Sequence, residues 1–262
     1  MAFARDMALA VTLLTAAPVP CEVPEPGART GAAAHFPAVG FVIGLLGFAF
    51  CALSVSLFGG VSDACAAIVL TCTAVLTRAM HWDALADCAD AWFAQPARRR
   101  EIMKDPQVGA FGAVAIVLVA LTQWSALKGL GTSMPALACV VLAAVCGRLA
   151  ATFSAWFGKA ARPDGLGASV MGPPGAGGVI LAVLPVLAAS ALAVVCGMGP
   201  LHALALTGLG LVLAFGVQRV IGLRFDGVSG DTMGASVLIV ETSVMLAVQL
   251  VAALFRIEGF TL

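Results

Sequence analysis

Long apolar runs, interrupted by glycine, proline and charged residues, dominate the chain. Residues 36–58, 61–80, 108–127, 136–157, 178–197, 203–222 and 234–255 are each predominantly apolar. Each is close to the roughly 20 residues a helix needs to cross a bilayer. The pattern predicts an all-α, polytopic transmembrane helix bundle of about seven spans. Gly59-Gly60 divides the first two runs and predicts a tight helical hairpin there. The N-terminal stretch MAFARDMALAVTLLTAAPVPC has a basic residue and an apolar run, as a signal peptide does. Asp6 beside Arg5, and Pro18-Val-Pro20 before Cys21, argue instead for a retained interfacial or re-entrant helix. Residues 1–262 read as a single integral-membrane domain.

Composition narrows the class further. Apolar residues make up 61% of the chain and charged residues 11%, against roughly 25% charged in soluble domains. Mean hydropathy is +1.05. So few charges could not cover the surface of a soluble protein of this length. The formal net charge of zero offers no basic field for a phosphate backbone, which excludes a nucleic-acid binder. Of eight cysteines, Cys51, Cys65, Cys72, Cys139, Cys146 and Cys196 lie inside apolar runs without a C-x-x-C pair. They read as small hydrophobes.

Lysine and arginine set the orientation. Arg5, Arg29, Arg98, Arg99, Arg100, Lys104, Lys159, Arg162, Arg219 and Arg224 fall on one side, against Lys128 and Arg256 on the other. The first side is therefore expected to face the cytoplasm, as in a bacterial inner membrane. Asp83, Asp87, Asp90, Glu101, Asp105, Asp164, Asp226 and Asp231 crowd onto that same side. Acidic residues contribute little to topology, so their gathering points to chemistry or binding at this face.

The strongest constellation is His81-Trp-Asp83-Ala-Leu-Ala-Asp87-Cys-Ala-Asp90. Spacings of four and three set the three carboxylates on one helical stripe. Like charges so placed repel one another unless a cation sits among them, and Mg²⁺ is a hard ion often completed by substrate phosphates. A solvated acidic helix at the membrane surface is the plainer alternative. Downstream, Arg98-Arg99-Arg100 reads as a cytoplasmic anchor, while Asp105 precedes Gly109 and Gly112 at the opening of a span. Glycines there allow close approach of backbone or of phosphate, and Asp105 is a candidate ligand. Lys159 and Arg162, beside the irregular Arg162-Pro-Asp164-Gly-Leu-Gly167 loop, are candidates for substrate phosphate. In Asp226-Gly227-Val-Ser229-Gly230-Asp231, Ser229 could serve an anion and Asp231 a cation. Glu241 lies deep in the last span, where an ionisable group is a functional candidate or the partner of Arg148, itself inside a span.

Together these segments resemble the cobalamin synthase family, adenosylcobinamide-GDP ribazoletransferases. The family's H-x-D-G-L-A-D-x-x-D-G stretch is similar to residues 81–91, and its I-M-[KR]-D-S-x-x-G-x-x-G to residues 102–112. Its late G-x-[TS]-G-D-x-x-G-A is similar to residues 227–235, with Glu241 in the expected place. Leu14-Thr15 with Pro18-Val-Pro20, Phe36-Pro37 with Gly40 and Gly44, Gly147-Arg148 and Asp164-Gly-Leu-Gly167 also fit. Ala84 and Ala91 stand where the family has glycine, Pro106 where serine is common, and Ala16-Ala17 where an arginine usually precedes Pro-x-Pro.

The resemblance implies that α-ribazole, or its 5′-phosphate, joins adenosylcobinamide-GDP to give adenosylcobalamin, or its 5′-phosphate, with release of GMP. Such transfer needs positioning and charge neutralisation. It implies Mg²⁺ on Asp83, Asp87 and Asp90, with Asp105 and Asp231 completing the site or holding a second ion. His81 or an aspartate, Asp90 first, would take the proton of a hydroxyl nucleophile. A phosphate nucleophile, with its second pKa of about 6, needs no base. Arg148, Lys159 and Arg162 would meet anionic parts of the substrates. A homo-oligomer, or association with other cobalamin-assembly enzymes, is compatible with this picture. Two other classes compete. A proton-coupled transporter would need polar groups through the bilayer and often an internal repeat, and neither is evident. A CDP-alcohol phosphotransferase would need a D-x-x-D-G-x-x-A-R pattern, which is absent.

Overall fold

A computed structural model describes residues 2–20, 31–161 and 166–255. Helix α1 (Ala2–Leu14) and a 3-10 turn (Ala32–His35) precede α2 (Phe36–Phe58), α3 (Asp63–Leu76) and α4 (Met80–Trp92). There follow α5 (Pro96–Ile102), α6 (Ala110–Lys128), α7 (Met134–Phe157), α8 (Leu166–Ser169), α9 (Ala176–Val195), α10 (Pro200–Arg224) and α11 (Gly230–Phe255). Among the described residues there is no strand, only an isolated bridge between Ala160 and Val228. Six helices are long and apolar enough to cross a membrane, and a seventh span arises if α3 and α4 count as one bent segment. The chain is an all-α, multi-pass membrane protein.

Helix α7 is the axis of the bundle, with 94% of its most apolar stretch buried by protein. Its sequence, MPALACVVLAAVCGRLAATFSAWF, is rich in small residues, and α2, α9, α10 and α11 pack round it. In lipid, close packing of backbones substitutes for the hydrophobic drive available in water. The Gly40-xxx-Gly44 pair of α2 shows how tight that packing is. A Cβ on Gly40 would lie 2.6 Å from the Ala144 carbonyl oxygen, and one on Gly44 2.6 Å from Val141 Cα. Buried polar pairs add to it: Gln123 of α6 donates to Thr242 of α11 at 2.9 Å, and Gln249 donates to the Ala126 carbonyl at 2.8 Å.

The run over residues 61–80 is not one helix. Helix α3 has 14 residues, about 21 Å at the helical rise, short of the roughly 30 Å hydrocarbon layer. The chain then turns by 88° into α4. Arg78 and Ala79 both adopt φ of +53° at the corner, a left-handed conformation that costs non-glycine residues about 1–3 kcal/mol each and persists where the surroundings enforce it. Thr77 is buried there, and the Ala79 amide donates to the Ala74 carbonyl at 2.6 Å. Apolar composition continues through the bend, so hydropathy alone carries no sign of it. As a result α4 turns away from the line of α3 and packs against α6 and α11.

Helix α1, 13 residues, is too short to span and packs Leu9, Ala10 and Leu14 into a core shared with Phe36, Val39 and Ile43 of α2. All seven described cysteines are free, and Cys51, Cys65, Cys88, Cys139 and Cys146 are buried. They fill space as small hydrophobes.

Candidate active site

The bundle gathers its polar residues where α2, α6, α9 and α11 begin and α7 and α10 end. Helix α4 is the platform. Its contacts are built of small side chains: Ala84, Cys88 and Ala91 are buried on one face, and Ala86 is buried on the other against Gly112 of α6. A Cβ on Gly234 of α11 would lie 2.6 Å from the Ala84 Cβ, so α4 and α11 touch at two of the smallest side chains available. The alanines at 84 and 91 therefore serve a helix–helix contact, and their slight bulk is turned away from the carboxylates.

On the polar side, Asp83 is exposed and Asp87 and Asp90 are partly buried. Asp90 is engaged twice. Its Oδ2 accepts from the Gly109 amide and its Oδ1 from the Gly112 amide, both at 2.8 Å. It thereby caps the N-terminus of α6 from a neighbouring helix, satisfying donors that the helix leaves open. A Cβ on Gly109 would lie 2.5 Å from Asp90 Oδ1. The two glycines thus admit a carboxylate of the chain itself. Asp87 has no such partner. Burial, with the Asp83, Asp231 and Asp90 charges around it, pushes its carboxyl up to about 6. Among the described residues no basic side chain pairs with Asp83 or Asp87. No three His, Cys, Asp or Glu side chains among them converge closely enough to enclose an ion unaided.

The other candidates fall in three places. Ser229 caps α11: its Oγ accepts from the Thr232 amide at 3.2 Å, while its own amide donates to Thr232 Oγ1 at 2.8 Å, a reciprocal cap. Asp231 stands in the first turn of that helix, where Ser229 Oγ donates to its Oδ2 at 3.4 Å. Asp105 is exposed in the loop before α6, its Oδ1 accepting from the Gln107 amide at 3.0 Å. Lys159 is exposed beside a groove shared with Arg219 and Asp226, and its carbonyl accepts from the Val228 amide at 2.8 Å. The loops after α7 and α10 are thus joined. Arg162 lies outside the described residues.

Deeper in the bundle, Arg148 of α7 and Glu241 of α11 form a buried pair, Nη1 to Oε2 at 2.5 Å. This is the pairing that their shared depth allowed from sequence. His81 is buried above it, and neither ring nitrogen nor Arg148 Nε has a partner among the described residues. Burial, with the Arg148 charge second, holds the His81 imidazole far below its ordinary value and therefore neutral.

Sequence reasoning missed the use made of the arginine run. Arg99 Nη1 donates to the Arg224 carbonyl at 2.5 Å and lies 3.9 Å from Asp226. Arg100 donates to the Ala161 carbonyl at 3.2 Å. Arg224 in turn donates to the Trp92 carbonyl and places its guanidinium 5.7 Å from that indole ring. These bonds lash α5 to the loops after α7 and α10. Nothing in the local sequence distinguishes them from membrane anchors, because their partners are backbone carbonyls more than 60 residues away.

The cobalamin-5-phosphate synthase family model matches residues 6–249. A protein of Stutzerimonas stutzeri named adenosylcobinamide-GDP ribazoletransferase is 35% identical over 249 residues, covering 92% of this chain and 96% of its own length. Proteins of the same name from Bradyrhizobium diazoefficiens and Frankia casuarinae are 34% and 35% identical, over 96% and 69% of this chain and 94% and 69% of their own lengths. No solved structure matches. With its characteristic segments brought to one end of the bundle and the match running through nearly the whole chain, this protein belongs to the cobalamin-5-phosphate synthase family.

Proposed function

We propose that this chain transfers α-ribazole, or its 5′-phosphate, to adenosylcobinamide-GDP, releasing GMP. Family membership and the shared name of the relatives support the reaction class. One structural observation carries the site: Asp87 sits partly buried among three other carboxylates and pairs with no basic side chain. A second favours an inward-facing active site. Lysine and arginine concentrate at the same end as those carboxylates, as they do on the cytoplasmic side of an inner membrane.

The donor set fits a hard divalent ion that takes few ligands from protein. Asp87, with Asp231 of α11 beside it, would hold Mg²⁺, with water and diphosphate oxygens supplying the rest. When bound, the ion would neutralise diphosphate charge and stabilise GMP as a leaving group. The chain's own residues orient the partners. Asp90 fixes α4 against α6, and Ser229 fixes the start of α11, so the carboxylates on both helices keep their spacing. A ribazole oxygen attacks the phosphorus on the cobinamide side, the bond from that phosphorus to the bridging oxygen breaks, and GMP departs. Exposed Asp83 is accessible to the proton of a hydroxyl nucleophile; both Asp90 oxygens already accept amides, and His81 is buried away from solvent. The 5′-phosphate of the phosphorylated substrate reappears intact in the product, so a ribose hydroxyl is the nucleophile with either substrate and its proton must be taken.

The test uses membranes containing the chain, adenosylcobinamide-GDP, α-ribazole and Mg²⁺, with GMP as the readout. EDTA and Asp87→Asn should each abolish release while protein level is unchanged. GMP release surviving both would overturn the metal assignment, and absence of GMP from the unaltered chain would overturn the reaction.

A further inference from the structure

The same end of the bundle holds a half-open cavity of about 500 Å³, bounded by α1, the 3-10 turn, the end of α7 and the Gly/Pro-rich stretch leading into α9. Its lining includes Phe3, Asp6, His35, Trp156, Met171 and Gly177. Three of these are aromatic, and Phe3 stands edge-on to His35 with ring centroids 4.9 Å apart. Asp6 is the only charged side chain in the described lining. It lies 3.3 Å from Arg5 and accepts from the Gly31 amide at 3.1 Å. Met171 packs in one apolar cluster with Met80 and Met233, one residue before His81 and two after Asp231. A shared layer of side chains therefore links the cavity to the carboxylate platform.

The volume falls in the range of about 300–1,000 Å³ usual for small-molecule sites. Among the described lining residues an anion would meet a carboxylate and no cation, which disfavours phosphate. It suits a flat, uncharged aromatic ring, which gains from edge and face contacts with other aromatics. A carboxylate at the rim suits ribose, whose hydroxyls acidic residues accept in nucleotide sites.

We propose that this cavity seats the nucleoside substrate, a bicyclic aromatic base on a ribose, with the base among Phe3, His35 and Trp156 and the ribose hydroxyls donating to Asp6. The inference rests on ribazole transfer being the reaction of this chain.

The test follows GMP release by the full-length chain in detergent with each substrate varied in turn. Binding of α-ribazole alone is read separately, from quenching of tryptophan fluorescence. Gly177→Leu is the main variant. A Cβ at Gly177 meets nothing within 4 Å, so the leucine fills open space without straining the helix. It should raise the KM for α-ribazole about tenfold or more and weaken quenching to match. The KM for adenosylcobinamide-GDP should stay within about twofold. Asp6→Asn should raise the same KM about fivefold. An unchanged α-ribazole KM and unchanged quenching in Gly177→Leu would overturn the assignment. So would a rise confined to the adenosylcobinamide-GDP KM, which would give the cavity to the other substrate. A wild-type chain that quenches with α-ribazole but releases no GMP would instead overturn the reaction alone, and the cavity assignment would then be upheld or overturned by whether Gly177→Leu weakens the quenching.

Discussion

Asp90 Oδ1 accepts from the Gly112 amide at 2.8 Å, so a carboxylate of α4 terminates a helix to which it does not belong. Replacing it by asparagine sets an NH₂ against one of the two amides and leaves that donor unsatisfied. Asp90→Asn should therefore destabilise the chain by about 1–3 kcal/mol, the range for a lost hydrogen bond to a charged group. The melting temperature in detergent should fall, with kcat reduced more than Mg²⁺ affinity.

The Arg148–Glu241 pair should behave as a buried ion pair does. Glu241→Met or Arg148→Met alone leaves an uncompensated charge between α7 and α11, at a cost of about 3–5 kcal/mol. The double variant Arg148→Met/Glu241→Met should recover most of that loss, since apolar side chains of similar volume fit the site. A thermodynamic cycle on the melts of the four proteins measures the coupling.

In the metal-free chain Asp87 takes up its proton at about 6, against an ordinary carboxyl value of 3.8. The folded state then holds the proton more tightly than the unfolded state does. Stability from this group is complete below the unfolded value and is lost as pH rises through the folded one. With EDTA, the melting temperature should fall as pH is raised from about 4 to about 7. Added Mg²⁺ should recover more of it near neutrality than in acid, and Asp87→Asn should flatten both responses.

Arg99→Ala should loosen the lashing of α5 to the loops after α7 and α10. Hydrogen exchange over residues 94–108 should quicken while the core of α7 stays protected. Catalytic efficiency should fall about three- to tenfold. Arg98→Ala, whose side chain is exposed and reaches only Glu101 at 3.9 Å, is the control and should change neither.

Much of this molecule is written in apolar run lengths. Six of the seven runs became full helices within a few residues of their expected ends, because a span of lipid demands one length and one composition. The bend at Arg78 and Ala79 escaped that logic. It is enforced by neighbours packed on Thr77, which no local pattern records. The same distinction holds at the site. Spacing put Asp83, Asp87 and Asp90 on one stripe, yet it could not tell that Asp90 is spent on α6 while Asp87 is left without a partner. The glycines at 109 and 112 were legible as points of close approach, although what approaches them is a side chain of this protein. Asp6 and His35 carried no signal, since the cavity they line is assembled from four separate stretches of chain.

At the opposite end, the described residues show Lys128 and Asp63 closing on each other at 2.8 Å. His202 stands at the same pole, in the first turn of α10. The carboxylates of α4 and of the first turn of α11 stand at the other end of the bundle. Under the proposed transfer, the activated corrinoid and the departing GMP would meet the protein at one and the same face.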